Sequence, residues 1–162
     1  MVREISAGGV VVRKTASGWM VAVIEPQREP PNPKKGAAST PGKDLLALPK
    51  GLVDGKEHPE ETALREVQEE TGLTATLTSK LADIKYVYVR SWGDGERVFK
   101  IVSFYLLKYK SGKIGEISEE MRVEVKRALW IPLEEAEEKL AYRGEREVVA
   151  KARDFLKSLV EG

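Results

Sequence analysis

The chain has 162 residues, 41% hydrophobic and 33% charged, which predicts one globular domain with a buried core. Its 27 Lys and Arg residues nearly balance its 26 Asp and Glu residues, so no overall field would attract nucleic acid or an anionic membrane. There is no cysteine, which excludes disulfides and thiol chemistry and favours a reducing cytoplasm. No apolar run of about 18 residues and no signal-peptide pattern occurs, so we expect no membrane partner.

Two strands are predicted at the start of the chain. Residues 5–12 are apolar around Gly8 and Gly9, residues 13–18 form a turn, and residues 19–24 are a second apolar run. This pattern predicts a strand pair, in which the two glycines allow a bulge or the close approach of another backbone.

Residues 26–44 contain five prolines and almost no large apolar side chain, which predicts an exposed, mobile loop. The loop is either a flap near a substrate or an inert insertion. As a flap, it would offer its cations to phosphates: Arg28, Lys34, Lys35 and Lys43. Residues 45–48 then predict a short strand that leads into Pro49, Lys50 and Gly51.

A short helix is predicted from Pro59 to Thr71. Proline suits the first position of a helix, where its missing amide hydrogen is not needed, and Gly72 suits the left-handed residue that ends one. At 100° per residue, three carboxylates share one sector of about 100°, while Leu64, Val67 and Thr71 face the opposite way. Those carboxylates are Glu66, Glu69 and Glu70.

The acidic face of this helix has two interpretations. Its carboxylates lie in the last two turns, where the helix dipole disfavours negative charge by about 0.3 to 1 kcal/mol each. A bound divalent cation would reverse this penalty, and oxygen ligands favour Mg²⁺ or Mn²⁺ over zinc. The alternative is a solvated face on which Arg65 pairs with Glu69 or Glu61.

The spacing of residues 51–73 favours the interpretation in which the acidic face binds a divalent metal ion. Gly51 is followed after five residues by Glu57, and after seven more by Arg65, Glu66 and an apolar residue. After one further residue come Glu69 and Glu70, and after another Gly72 and an apolar residue. This stretch resembles the signature of the Nudix hydrolases, Gx5Ex7REUxEExGU, at every specified position. The SAGGVVV stretch at residues 6–12 also resembles the first strand of these enzymes.

The resemblance implies a Nudix α/β/α sandwich and a metal site. Glu69 and Glu70 would be the principal ligands of Mg²⁺ or Mn²⁺, joined by Glu66 and the Gly51 carbonyl. Arg65 would orient these carboxylates or pair with Glu57 rather than contact substrate. Lys50 would contact a phosphate, because similar tripeptides precede the signature in family members that cleave dinucleoside polyphosphates or diphosphoinositol polyphosphates.

A hairpin follows the signature. Residues 75–89 alternate as a strand with Tyr86 and Tyr88 on one face, residues 91–97 form the turn, and residues 98–109 return. The segment is similar to the hairpin of bacterial diadenosine tetraphosphate hydrolases. By that resemblance Tyr88 and Trp92 are candidates for stacking on a nucleobase, although both could belong to the core. Lys100, in the returning strand, is a further substrate-binding candidate.

The last third predicts a polar loop at 110–121, a strand and two helices. The VEVKRALWIPLEEA stretch is similar to the family's last strand, and places Glu124 where several members have another metal-binding carboxylate; Glu119 and Glu120 compete for this role. A helix is predicted at 133–140, and a longer amphipathic helix follows 142–145. Tyr142 resembles the aromatic residue that closes over adenine in diadenosine tetraphosphate hydrolases. The order of elements indicates a mixed sheet with helices on both sides.

The implied activity is Mg²⁺-dependent hydrolysis of a pyrophosphate bond in a nucleoside diphosphate linked to another moiety. The leading substrate is diadenosine tetraphosphate, cleaved asymmetrically to ATP and AMP. Glu66 is the first candidate for the base that activates water, and Glu124 the second. Alternative substrates are oxidised nucleoside triphosphates, nucleotide sugars and diphosphoinositol polyphosphates. A non-catalytic nucleotide sensor is a remote alternative, and the oligomeric state stays open.

Overall fold

The computed structural model describes residues 2–27, 45–90 and 95–161, so most of the predicted loop, its four cations and Trp92 lie outside the described residues. The strands are β1 (Val2–Thr15), β2 (Gly18–Pro26), β3 (Lys50–Leu52), β4 (Thr74–Val89), β5 (Arg97–Ser111) and β6 (Val125–Pro132). The helices are α1 (Pro59–Thr71), α2 (Leu133–Lys139) and α3 (Arg143–Glu161), and a 3₁₀ turn spans Met121–Val123.

The strands form one mixed sheet in the order β4-β5-β1-β2-β6, with β3 paired to β1. Strands β1 and β5 are parallel, and the other pairs are antiparallel. Helix α1 packs on one face of the sheet, and α2 and α3 pack on the other. The predicted α/β/α sandwich with a mixed sheet is confirmed.

Side chains alternate along β1 between two cores. Ala7 and Val11 face α1 and pack with Ala63 and Val67 of that helix. Val10 and Val12 face the other way and belong to a larger core. That core includes four buried apolar residues of α3: Val148, Val149, Ala152 and Leu156. Leu159, in the last turn of α3, is exposed.

Helix α1 has the predicted bounds. Pro59 lies in its first turn, and Gly72 ends it with φ 85° while its N–H donates to the Gln68 carbonyl. A residue with a side chain is strained at this φ, so glycine at this position ends the helix.

The segment before the helix differs from the prediction. Residues 45–48 form only isolated bridges, Leu46 with Leu140 and Ala47 with Ile24. The reason is that the chain changes partner at Pro49, which has no N–H to continue the pairing but accepts a hydrogen bond from Gly9 at 3.1 Å. The next residues pair with β1 as β3, a strand that was not predicted.

Three smaller predictions are also corrected. The turn at 13–18 is only two residues long, because Thr15 pairs with Gly18. Pro26, expected in the loop, ends β2, and α3 begins at Arg143, inside the stretch expected to precede it. None of the helices within the described ranges is long and apolar enough to cross a membrane.

Gly8 allows β3 to lie close to β1, and replacing it tests this contact. A Cβ at residue 8 would lie 2.4 Å from the Pro49 carbonyl oxygen and 2.7 Å from Lys50 Cβ. Gly8→Ala should therefore lower the free energy of unfolding by about 1 to 3 kcal/mol. Urea denaturation measures this change. Ser17→Ala, in the exposed turn, is the control, and a Gly8→Ala effect within about 0.5 kcal/mol would contradict the prediction.

Candidate active site

Strand β3 lies at the centre of the candidate site, because all three of its residues line two neighbouring clefts. Lys50, Gly51 and Leu52 pair with Gly8, Ala7 and Ser6 of β1. The acidic cleft, of about 560 Å³, is lined by Lys50, Gly51, Leu52, Val53, Asp54, Arg65, Glu66 and Glu124. The lysine cleft, of about 240 Å³, is lined by Ser6, Ile24, Pro26, Ala47, Leu48, Lys50, Gly51, Leu52, Glu70, Lys100 and Tyr142.

Glu66 packs directly against Gly51. A Cβ at residue 51 would lie only 2.2 Å from the carboxyl carbon of Glu66. Glu66 is 9% exposed, and burial is the main reason that its pKa is raised. Only glycine at residue 51 leaves room for this carboxylate beside the strand.

Glu70 is held at the lysine cleft by the backbone of β3. It is 6% exposed, and its Oε1 accepts a hydrogen bond from the Lys50 backbone N–H at 2.8 Å. Burial raises the pKa of Glu70 to about 8, against the opposing effects of this hydrogen bond and of the Lys50 charge. A buried carboxyl group with so high a pKa lies where a nearby positive charge would be strongly stabilising.

Arg65 joins three of the signature carboxylates. Its Nε and Nη2 donate to the two oxygens of Glu57 at 2.7 and 3.0 Å, and this pair lowers the pKa of Glu57 to about 2. Its Nη1 donates to Glu66 at 2.8 Å and to Glu69 at 3.2 Å. The predicted pairing of Arg65 with Glu57 is confirmed, and the alternative pairing with Glu69 is present beside it.

Glu69 and Glu124 are the more accessible carboxylates. The Glu69 side chain is 40% exposed and faces Arg65. Glu124 caps the 3₁₀ turn, and its carbonyl accepts a hydrogen bond from the Gln27 N–H at 2.9 Å. Its side chain lines the acidic cleft, and its charge helps to raise the pKa values of Glu66 and Glu70. The competing candidates Glu119 and Glu120 are exposed and line neither cleft.

The donors around the acidic cleft fit a hard divalent cation. The carboxylates of Glu66 and Glu124 and the Gly51 residue line it, and two of the neighbouring carboxyl groups have raised pKa values. In the described part of the chain, however, no three His, Cys, Asp or Glu side chains already surround one point as metal ligands. Glu66 and Glu69 instead accept hydrogen bonds from Arg65, and Glu70 accepts one from the Lys50 N–H.

Three of the five predicted substrate-binding residues lie together in the lysine cleft: Lys50, Lys100 and Tyr142. The Lys50 ammonium lies 5.3 Å from the centre of the Tyr142 ring, within cation–π distance. Lys100 is half-buried, and burial lowers its pKa. Tyr88 lines neither cleft, and its hydroxyl donates to Glu4 at 2.9 Å. Trp92 lies outside the described residues.

Glu145 is a residue of this site that the sequence reasoning missed. It is 3% exposed, and its two oxygens accept hydrogen bonds from the Leu48 N–H and from Lys50 Nζ, each at 2.7 Å. An acidic residue in the first turn of a helix is common for electrostatic reasons alone. No local pattern in the sequence connects it with a lysine 95 residues away.

Residues 6–152 match the family model of the NUDIX domain, so the match includes both clefts and the whole signature. The chain belongs to the Nudix family. This membership, together with the Nudix hydrolases among similar structures, supports the predicted class of pyrophosphohydrolases.

Two curated relatives of this Nudix chain come from mycobacteria. A protein of Mycobacterium tuberculosis named mutator protein MutT4 is 34% identical over 161 residues, which cover 98% of this chain and 58% of the relative. The 8-oxo-(d)GTP phosphatase of Mycolicibacterium smegmatis is 31% identical over 121 residues, covering 75% of this chain and 33% of the relative. The Nudix chain thus spans less than two thirds of the length of either relative.

A solved structure similar to the Nudix chain is that of the Ap4A hydrolase of C. elegans in a binary complex. The two are 23% identical, and the superposition covers 96% of this chain and 98% of the other with a TM-score of 0.68. At this level of identity the likeness establishes the shared fold.

The raised pKa of Glu70 predicts how the stability of this Nudix protein depends on pH. Burial raises this pKa from 4.5 to about 8. Between these two pH values the folded state therefore binds a proton that the unfolded state releases. The stabilisation is complete below pH 4.5 and is lost as the pH rises through about 8. In EDTA, the unfolding temperature of the wild type should therefore fall over this range more steeply than that of Glu70→Gln.

Thermal unfolding between pH 5 and pH 8.5 measures this difference. Glu61→Gln, on an exposed part of the same helix, should keep the wild-type slope. Equal slopes for the wild type and Glu70→Gln would show that Glu70 does not titrate as predicted.

Proposed function

We propose that this protein hydrolyses a pyrophosphate bond in a nucleoside diphosphate linked to another moiety, in a reaction that requires Mg²⁺. The leading substrate is diadenosine tetraphosphate, cleaved asymmetrically to ATP and AMP. The observation that supports this proposal most directly is the position of β3, which lines both the acidic cleft and the lysine cleft. A phosphate chain at β3 would have carboxylates on one side and two ammonium groups with a tyrosine ring on the other.

The residues that would hold the cation are Glu66, Glu69, Glu70, Glu124 and the Gly51 carbonyl. What bound Mg²⁺ supplies is neutralisation of the phosphate oxygens, which otherwise repel an approaching water. Manganese has the same preference for oxygen ligands and would serve as a substitute. Arg65 keeps Glu57, Glu66 and Glu69 in place through four side-chain hydrogen bonds.

Glu66 is our first candidate for the base that takes the proton from water. It lines the acidic cleft, and burial raises its pKa, which makes its carboxylate a better proton acceptor. Glu124, which lines the same cleft, is the second candidate. Lys50 and Lys100 would bind the phosphates of the substrate.

The dinucleotide is favoured by the aromatic ring at the lysine cleft. Tyr142 is 50% exposed at the edge of this cleft and can stack on a nucleobase. The fold shared with the C. elegans Ap4A hydrolase is consistent with the same substrate. A diphosphoinositol polyphosphate would need a denser set of cations than Lys50 and Lys100, the lysines that line this cleft among the described residues.

Oxidised nucleoside triphosphates are the second candidate class of substrate. The two mycobacterial relatives carry the names mutator protein and 8-oxo-(d)GTP phosphatase, and both are more than 30% identical to this chain. The chemistry at the carboxylates would be unchanged, and only the group bound beside the lysine cleft would differ. The complete set of signature glutamates argues against a sensor that binds nucleotide without cleaving it.

We further propose that residues 1–162 act as one domain on small-molecule nucleotides rather than on nucleic acid. The balance of 27 basic against 26 acidic residues supports small-molecule nucleotides over nucleic acid as the substrate. The absence of cysteine supports a cytoplasmic location.

The central prediction is that purified protein with Mg²⁺ converts diadenosine tetraphosphate to ATP and AMP. Glu70→Gln should lower the rate at least about 100-fold, because charge stabilisation by a bound cation contributes several kcal/mol to catalysis. Mass spectrometry identifies the products, and circular dichroism checks that the variant is folded. Glu61→Gln is the matched control on the exposed face of α1 and should retain wild-type activity.

The same assay distinguishes the two classes of substrate. If the protein releases pyrophosphate from 8-oxo-dGTP faster than it cleaves diadenosine tetraphosphate, its substrates would be assigned to the oxidised nucleoside triphosphates. Equal inactivity of the wild type and Glu70→Gln on a broad panel of pyrophosphates would refute the enzymatic proposal.

A further inference from the structure

We infer that Glu145 is a positioning residue, which fixes the Lys50 ammonium at the wall shared by the two clefts and so determines where the phosphate chain of the substrate binds. The inference rests on the proposed function and adds to it a residue outside the signature. It begins from the ion pair between Lys50 Nζ and Glu145 Oε2 at 2.7 Å.

Glu145 is itself held rigidly. It lies in the first turn of α3, where the helix dipole stabilises a carboxylate, and it is 3% exposed. Its second oxygen accepts the Leu48 N–H at 2.7 Å, two residues before Lys50 along the chain. Since both oxygens are engaged and the group is buried, the carboxylate has little freedom to turn.

Lys50 is consequently restrained at both ends. Its backbone N–H donates to Glu70 at 2.8 Å, and its ammonium is held by Glu145 beside the Tyr142 ring. An ammonium has three donors, and Glu145 accepts from one of them, so the others stay available to a phosphate. The side chain is 24% exposed, which leaves the ammonium accessible from the clefts.

Lys100 lines the same cleft without such a restraint. Among the residues that the structure describes, no carboxylate lies within ion-pair distance of its ammonium. The two lysines therefore provide a comparison within one cleft. The effect of removing the Glu145 charge should depend on Lys50 and not on Lys100.

The test is a double-mutant cycle with the methylene analogue of ATP, in which a CH₂ group replaces the oxygen between the α and β phosphorus atoms. Calorimetry with Mg²⁺ measures binding to the wild type, Glu145→Gln, Lys50→Met and the double variant. Glutamine is neutral and has an NH₂ group in place of one of the two oxygens that accept from Leu48 and Lys50. Glu145→Gln and Lys50→Met should each weaken binding about tenfold, or about 1.4 kcal/mol, and the double variant should bind like Lys50→Met.

Controls separate positioning from a merely structural role. Glu147→Gln, at an exposed position two residues further along α3, should bind like the wild type. In a Lys100→Met background Glu145→Gln should still weaken binding about tenfold, since Glu145 is paired with Lys50 and no ion pair joins it to Lys100. In turnover, KM should rise while kcat changes less than about threefold, as expected for lost ground-state binding.

Three results would overturn the inference. One is wild-type binding by Glu145→Gln, and another is an equal loss in the Lys50→Met background, which would indicate a general structural defect. The cycle is repeated with Glu145→Asp, which keeps the charge but shortens its reach, so that the test does not depend on the folding of one variant. The third result would be that Glu145→Asp and Lys50→Met show no coupling in this repeated cycle. If the wild type cleaves no nucleotide, the proposed function itself fails, which the wild-type turnover assay reveals separately.

Discussion

The close approach of β3 to β1 is the constraint on which the candidate site depends. Gly8 leaves no side chain between the strands, and the Pro49 carbonyl accepts the N–H of Gly9. Because three residues of β3 are fixed in this way, the Lys50 N–H meets Glu70 and Gly51 meets Glu66. Apolar side chains pack α1 on the sheet, whereas the contact of the signature carboxylates with β3 depends on glycines and a proline.

Two carboxylates of the signature differ in their electrostatic properties, one because of its partner and the other because of burial. Glu57 is held ionised by its bidentate pair with Arg65, which lowers its pKa to about 2. Glu70, enclosed beside the sheet, has a pKa of about 8 despite the Lys50 N–H. One short segment therefore contains an acidic group that is already neutralised by a partner and another that lacks a sufficient positive charge. This difference suits the proposed cation site, since the first group would order the segment and the second would make cation binding favourable.

The helix, the sandwich and the Arg65 pair were predictable from the sequence because they follow from local spacing. Pro59 and Gly72 bound α1, and the seven-residue interval between Glu57 and Arg65 belongs to a recognised signature. Strand β3 was not predicted, because its pairing with β1 is set by long-range contacts of Gly8 and Gly51. Glu145 was missed for a similar reason, because its partners lie about a hundred residues away along the chain. The residues next to it predict only the start of an ordinary helix. Tyr88 stood out through its aromatic character, but its register on β4 directs its hydroxyl to Glu4.

The separation of Lys50 and Glu145 in the chain also has a consequence for folding. The sheet cannot be completed before β5 pairs with β1, and the ammonium cannot be held before the start of α3 has docked onto the core. During synthesis from the N-terminus, the signature helix is made long before its lysine cleft can close. Such long-range pairing is slow compared with helix formation. We therefore expect nascent chains to carry exposed signature carboxylates before the lysine cleft exists, so that the proposed site is completed last.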